Sequence, residues 1–434
     1  MTIIALSTAT EPARNKARVL WVACGAHALH DGFTDTLYVL LPIWQAQFAL
    51  SYAAVGILRA LYAGVMAGLQ VPVAGAAQRI GGARTLAAGT AAAAGAYLLL
   101  GASSGVTVLA IALILGGIGS STQHPIASSL VATAFEGPRS RGALGTYNFA
   151  GDLGKMALPA ITAGLIAIFS WRSAASVIGV IGLLGAGIIL LLLQPGPMGT
   201  SRVQSCPDTA KVRDRTCLLR NGFPLLLTIG VIDSATRMGF LTFLPFLLQA
   251  KGAGVPQIGL ALTLLFAGGA AGKLVCGFLG ARLGVLPTVL LTEGATAAGI
   301  LALLPLPMGA SLAALPIIGV ALNGTSSVLY GTVPELVTVQ QRETAFGVFY
   351  TGTIGAGALS PALYGLFSDA IGLTSAMLLV ALVVLVTLPL AWQLTRRLNR
   401  PNQDQAAPSE IDPPMRAPRG TMTGRVVDAD ANQR

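Results

Sequence analysis

Between Gly25 and Pro42 the sequence reads GAHALHDGFTDTLYVLLP, with two histidines and two aspartates set among small and apolar residues. Imidazole and carboxylate groups so spaced can take up and release protons near neutral pH, ligate a divalent metal, or pair with a charged ligand. In a helix, about 100° per residue puts His27, Asp31, Thr34, Asp35 and Tyr38 on one face about 100° wide, with His30 at its flank. In water such a face is unremarkable. In hydrocarbon every one of these groups is expensive and must look at a cavity or at other helices.

Composition decides between the two. Of the 434 residues 54% are hydrophobic and 10% charged, and the mean hydropathy is +0.72, whereas a soluble chain carries about 25% charged residues. Glycine is abundant and aromatic residues are 6% of the chain, which suits helices packed through small residues rather than a barrel with aromatic girdles. The sequence predicts an all-α membrane protein. Twelve segments approach the ~20 residues that cross ~30 Å of hydrocarbon: 19–46, 52–77, 85–103, 106–135, 142–169, 173–194, 221–249, 255–280, 285–304, 309–335, 344–368 and 372–395. Glu11, Arg14, Lys16 and Arg18 precede a first apolar run too long for a signal-peptide core, so that run is expected to serve as its own signal.

With the N-terminus in the cytoplasm, 21 of the 27 Lys and Arg residues fall in inside segments, two (Arg172 and Lys251) in outside loops, and four (Arg59, Lys155, Arg237, Lys273) within spans. An inner-membrane protein with both termini cytoplasmic follows from that bias. The same distribution explains the net charge of +10 without nucleic acid. Cys24, Cys206, Cys217 and Cys276 show no metal-site spacing, and two lie in spans, so no disulfide framework is expected.

Residues 195–220 are polar, basic and rich in Pro and Gly, and they divide the spans six and six. The expected organisation is a cytoplasmic N-terminus (1–18), a six-helix bundle (19–194), a cytoplasmic linker (195–220), a second bundle (221–396) and a disordered cytoplasmic tail (397–434). The bundles repeat. Adding 203 carries Leu41-Pro42 onto Leu244-Pro245, Gly56 onto Gly259, and Arg79-x-Gly81 onto Arg282-x-Gly284; adding 202 carries Gly145 onto Gly347 and Pro159 onto Pro361. Two parallel six-helix repeats are implied.

Other polar residues join the first span's face as candidates. His124, beside Pro125, lies in the fourth span; the fifth carries Asn148, Asp152 and Lys155; the seventh carries Asp233 and Arg237 at i,i+4. Counted from their cytoplasmic starts at about 1.5 Å per residue, Asp31 and Asp233 lie roughly 20 Å in. Asp31 has only His27 one turn away and no basic residue at helical spacing, which makes it the leading proton-coupling group, with His27 and Asp35 beside it. Arg59 finds its nearest partner in Asp35, and Lys273 and Glu293 sit at matching depth on consecutive spans and are expected to pair. His30, Tyr38, Arg59, His124, Asn148, Asp152, Asp233, Arg237, Asn323 and Tyr330 are the candidate substrate contacts.

The loop GFLGARLG, Gly277 to Gly284, and its weaker first-half copy AGAAQRIGGAR, Ala74 to Arg84, resemble the G-x-L-x-D-R-x-G loop of the major facilitator superfamily of secondary transporters. Gln78 and Ala281 replace that loop's Asp, so Arg79 and Arg282 alone carry over. GIGSSTQHP, Gly117 to Pro125, is similar to the fosmidomycin-resistance branch of that superfamily, as is the His30-Asp31 to Leu41-Pro42 stretch. The resemblance implies the twelve-helix major facilitator fold and proton-driven export of a small organic molecule from the cell. Arg79, Gly81, Arg282, Gly284, Pro125, Pro159 and Pro361 are then the expected gating positions.

No Walker A, H-E-x-x-H or C-x-x-C motif occurs in the sequence, so neither an ATP-driven pump nor an enzyme is indicated. The expected function is proton-coupled export of a small anionic or zwitterionic molecule, because Arg59, Lys155, Arg237 and Lys273 repel a bare cation. The expected partners are that molecule, protons and the bilayer, with no resident metal or cofactor and a monomeric state. A carrier of a transition metal or metal complex through the His/Asp cluster, and an importer or sensor of the same fold, are the alternatives.

Overall fold

The computed structural model describes residues 11–135, 138–193, 222–337 and 341–398. The linker with Cys206 and Cys217, and the tail beyond Leu398, lie outside them. Every long element is a helix, and no strand occurs among the described residues. The first half holds α1 (Glu11–Phe48), α2 (Tyr52–Ile80), α3 (Gly82–Gly101), α4 (Val106–Ser120), α5 (Gln123–Ala134), α6 (Pro138–Ile168) and α7 (Trp171–Leu192). The second holds α8 (Phe223–Ala250), α9 (Val255–Leu283), α10 (Val285–Leu303), α11 (Met308–Thr332), α12 (Arg342–Ile371), α13 (Leu373–Leu385) and α14 (Thr387–Leu398).

These helices occupy the twelve expected segments, with two segments broken. The fourth divides at Ser121-Thr122, whose hydroxyls donate to the carbonyls of Ile118 (2.7 Å) and Gly119 (2.9 Å) and so compete with the helix's own ladder. The break precedes Pro125, which sits in the first turn of α5, where its missing N–H is harmless. The twelfth divides at Val386. Ten of the twelve segments are long and apolar enough to cross a membrane. The other two are α1, with its polar face, and α12, rich in Gly, Ser and Thr. The repeat-related residues Gly81 (φ 92°) and Gly284 (φ 83°) turn α2 directly into α3 and α9 into α10 in a backbone region that suits glycine.

The same pairings recur in both halves: α1 with α6 and α8 with α12, α3 with α7 and α10 with α13. The halves meet through α2 against α12 and α6 against α9. One apolar core, including Phe33, Tyr38, Trp44 and Leu58 with Phe240, Phe243, Phe266 and Tyr364, is shared between them. Towards residues 193 and 222 it gives way to two separate cores, one within each half. At the shared end the amides of Tyr52 and Ala53 donate to the two Asp369 oxygens at 2.8 and 2.9 Å. There Gly56 lies so close to α12 that a Cβ on it would stand 2.1 Å from the Pro361 carbonyl oxygen. The halves thus share one apolar core at the end where Tyr52 meets Asp369, and each has its own core at the end where residues 193 and 222 lie.

Candidate functional site

Close approach of α1 and α6 builds the first part of the site. A Cβ on Gly154 would lie 2.0 Å from the Ala28 carbonyl oxygen, and one on Gly151 would lie 2.7 Å from the His27 ring and 2.8 Å from Asp31 Oδ2. With glycine at both positions, Lys155 Nζ reaches Asp31 Oδ2 at 3.3 Å. His27 Nε2 lies 3.3 Å from that same oxygen, and His124 Nε2 3.8 Å from Oδ1. Asp31, which the sequence leaves without a base at helical spacing, therefore has a lysine from another helix.

His27 Nδ1 is 2.8 Å from the Tyr147 carbonyl oxygen, and its ring stacks on the Tyr147 ring at 4.2 Å. A carbonyl only accepts, so Nδ1 carries its hydrogen and Nε2 is the nitrogen turned to Asp31. There a neutral ring offers Asp31 a lone pair and a protonated ring offers it an N–H.

From Lys155 the charges continue. Lys155 Nζ is 3.9 Å from Asp152 Oδ1, and Lys273 Nζ, from α9 of the other half, is 2.5 Å from that atom. Lys273 thus pairs across the bundle interface with Asp152 and not with Glu293 as its depth suggested, because α6 packs on α9 and brings the two together. Likewise Arg59 forms no ion pair with Asp35 among the described residues. Its Nη2 donates to Tyr38 Oη at 3.0 Å, and its guanidinium stands 5.0 and 5.8 Å from the Tyr38 and Tyr62 ring centres. The aromatic faces take up part of the buried charge.

Asp35 is buried, yet it makes no hydrogen bond or ion pair with any described residue. It lines a cavity of about 60 Å³ together with Asp152, Lys155, Arg237, Lys273 and Asn323. This small chamber lies between the halves, and Arg237 on its wall has a buried Nε without a partner. A larger cavity, about 340 Å³, lies between α1 and α7 and is lined by residues such as Trp21, Leu29, Ile188 and Leu192. It contains none of the candidate groups.

The remaining candidates are more scattered. His30 turns away from the chamber: its Nε2 donates to Thr90 Oγ1 at 2.9 Å, and that hydroxyl passes its own proton to the Leu86 carbonyl. Tyr38 reaches the other half through Met238 Sδ at 3.7 Å. Asn148 is exposed, and Tyr330, also exposed, packs on Phe346 and Tyr350. Asp233 is buried one turn from Arg237 without an ion pair to it, and Glu293 on α10 is buried with its Oε1 unpartnered. Arg79 is exposed; Arg282 lies over the Phe278 ring at 4.2 Å; Pro159 and Pro361 lie within α6 and α12. Tyr147 and Asp369 are participants that spacing alone did not single out.

A family model described as Major Facilitator Superfamily matches the chain twice, over residues 23–232 and 226–425. No curated protein matches it. Among solved structures, a bacterial homolog of the human lysosomal transporter Spinster in an inward-facing, occupied conformation is similar, with a TM-score of 0.72 and 17% identity over 90% of this chain and 98% of that one. The nucleoside transporter NupG, as a variant, is similar with a TM-score of 0.73 and 12% identity over 88% and 99%. At those identities the likeness carries the fold alone. The two family matches fall on the two halves, and the chain belongs to the Major Facilitator Superfamily.

Proposed function

We propose that the chain is a monomeric secondary transporter that exports a small organic zwitterion or anion across the inner membrane in exchange for protons, with both termini in the cytoplasm. The observation that carries this reading is the chamber between the halves, whose wall holds both the carboxyl of Asp35 and the cationic side chains of Lys155, Arg237 and Lys273. A zwitterion meets both signs there: its ammonium at Asp35, its acid group at Arg237. A proton and an ammonium cannot both neutralise Asp35, so substrate and proton exclude each other, which is the condition for exchange. The His27–Asp31 pair, one turn away, is the second group whose state can differ between the two conformations. The end at which each half has its own core is read as the open side of the chamber, and closing it by rocking the halves completes alternating access.

The test uses proteoliposomes with an imposed pH gradient and a panel of amino acids and amino-carboxylate drugs. For a transported zwitterion, KM should rise as pH falls in the wild type. Asp35→Asn should weaken binding about tenfold and flatten that dependence, since an amide neither titrates nor neutralises an ammonium. An unchanged pH dependence in Asp35→Asn would remove Asp35 from the exchange.

A second reading has one observation of its own. Ligand atoms of His27, Asp31 and His124 lie within 4.8 Å of one another, a spacing that suits a divalent metal. Lys155 on Asp31 opposes it, because the ammonium must leave before a cation binds. Gradient-driven movement of Zn²⁺ with none of the organic panel would favour the metal, and movement of neither would favour a sensor.

A further inference from the structure

The cavity between α1 and α7 lies apart from the chamber. Its volume is about 340 Å³, and Trp21, Val22, Gly25 and Leu29 of α1 line it together with Gly185 and Ile188 of α7. The two helices touch where Leu29 meets Gly185, since a Cβ on that glycine would stand 2.5 Å from Leu29 Cδ1. A Cβ on Gly25, one turn nearer the start of α1, would meet no atom within 4 Å. A missing side chain therefore keeps the hollow open, and its rim is on the outer surface, with Trp21 66% and Ile188 51% exposed. Apolar side chains and glycines give water almost nothing to hydrogen-bond there, so within a bilayer the space takes hydrocarbon.

What stands beyond the hollow is cationic. With Val22 at 0°, about 100° per residue puts Gly25 at about −60°, Leu29 at about −20°, Arg18 at about −40° and Arg14 at about −80°, so both arginines continue the stripe of α1 that lines the cavity. Arg18 is one helical turn, about 5 Å, from Val22. Its Nη2 donates to Asn15 Oδ1 at 2.8 Å, its buried Nε has no partner, and it forms no ion pair with a described residue. Arg14, a further turn out, is exposed. Residues 195–220, which follow α7, carry five Lys and Arg against two Asp. That segment is repelled by the same arginines and suits an apolar hollow poorly. His27 and Asp31 lie on the opposite side of α1, at about 140° and 180°.

We propose that this cavity holds one anionic phospholipid, with an acyl chain along Gly25 between α1 and α7 and the phosphate on Arg18. A guanidinium presents parallel N–H groups to phosphate oxygens, and the unpartnered Nε of Arg18 is one of them. One turn of helix separates that phosphate from the cavity, which a glycerol backbone spans. A zwitterionic headgroup fits less well, because its ammonium would stand against Arg14 and Arg18. The lipid braces the back of the helix that carries the His27–Asp31 pair and leaves the pair's own face free. The site requires a chain embedded in a bilayer, and it does not rest on the reading of the chamber as the substrate site.

The test reads Trp21 fluorescence in purified full-length protein reconstituted in mixtures of phosphatidylglycerol and phosphatidylcholine, with the acyl chains of one or the other brominated. Quenching that is lost in Trp21→Phe separates the signal of that residue from that of Trp392, which is 48% exposed. Brominated phosphatidylglycerol should half-quench Trp21 at about fivefold lower mole fraction than brominated phosphatidylcholine, the preference expected for one basic residue at an anionic headgroup. Arg18→Gln should abolish the preference. Gly25→Leu, whose side chain enters empty space and leaves the packing undisturbed, should abolish it by filling the hollow. Equal quenching by the two lipids in the wild type would overturn the site. A preference that survives Arg18→Gln would overturn the assignment of the phosphate, and one that survives Gly25→Leu would overturn that of the acyl chain. None of these measurements involves transport, so a failed substrate panel would count against the chamber reading and leave the lipid site standing.

Discussion

The same helix contacts serve ionic chemistry in the first half and close packing in the second. Adding 203 along α1 and 202 along α6 carries Asp31 onto Ser234 and Lys155 onto Gly357. Asp31 and Lys155 form an ion pair at 3.3 Å, while a Cβ on Gly357 would stand 2.8 Å from Ser234 Oγ. Similarly, His27 lies over Gly151 in the first half, and in the second Gly230 lies under Thr353, at 3.0 Å from a Cβ built on it. The helices cross in the same way in both places, so the difference lies in what fills the crossing. A repeat fixes where side chains can meet without fixing what they do there, and the first half has put protonatable groups at a position that the second uses for packing.

The comparison is broken most directly at Asp31. Asp31→Asn leaves Lys155 with Asp152 alone and His27 facing an amide, and an amide cannot link its protonation to conformation. Uphill transport in proteoliposomes should be lost while counterflow of substrate down its own gradient persists. Ser234→Ala, at the matching position, should leave both intact. If Asp31→Asn still concentrates substrate, the proton travels elsewhere and the asymmetry between the halves is one of packing only.

A smaller effect is expected at the end with the shared core, where the two halves are joined across α2 and α12. Asp369 accepts from two amides at the start of α2, where the helix dipole also favours its charge. It is exposed, so screening reduces the contribution to about 1 kcal/mol. Asp369→Ala should therefore shift the population towards the state open at this end by about fivefold. Distances between spin labels placed on α2 and α12 measure that ratio, and an unchanged distribution would show that the apolar core at this end holds the halves closed by itself.

Much of this architecture is legible in the sequence because it rests on local rules. Span length, the polar stripe of α1 and the repeat offset each follow from spacing along one chain. The partners of the charged residues do not, since they depend on which helices touch and how closely. Lys155 reaches Asp31 only because Gly151 and Gly154 let α6 approach α1. Lys273 meets Asp152 because α9 packs on α6, a contact between halves that depth along consecutive spans cannot reveal. Arg59 turns from Asp35 to the Tyr38 hydroxyl and two aromatic faces. For His30, helical angle put the residue at the flank of the polar face, and the structure takes it to Thr90, on the side away from the chamber.

The smallest effect on transport is expected at that first-half contact, and it sharpens the comparison most finely. Thr90→Val keeps the side chain's shape and removes the oxygen that accepts from His30 Nε2, leaving a buried N–H unsatisfied. The expected loss of stability is about 1 to 3 kcal/mol, read as a lower melting temperature in detergent. Transport should keep its KM and its dependence on pH, because the contact holds no exchangeable charge and His30 does not face the chamber. If Thr90→Val shifts the pH profile of transport, His30 titrates during the cycle, and the protonatable groups of the first half would extend from the His27–Asp31 pair to the α1–α3 contact.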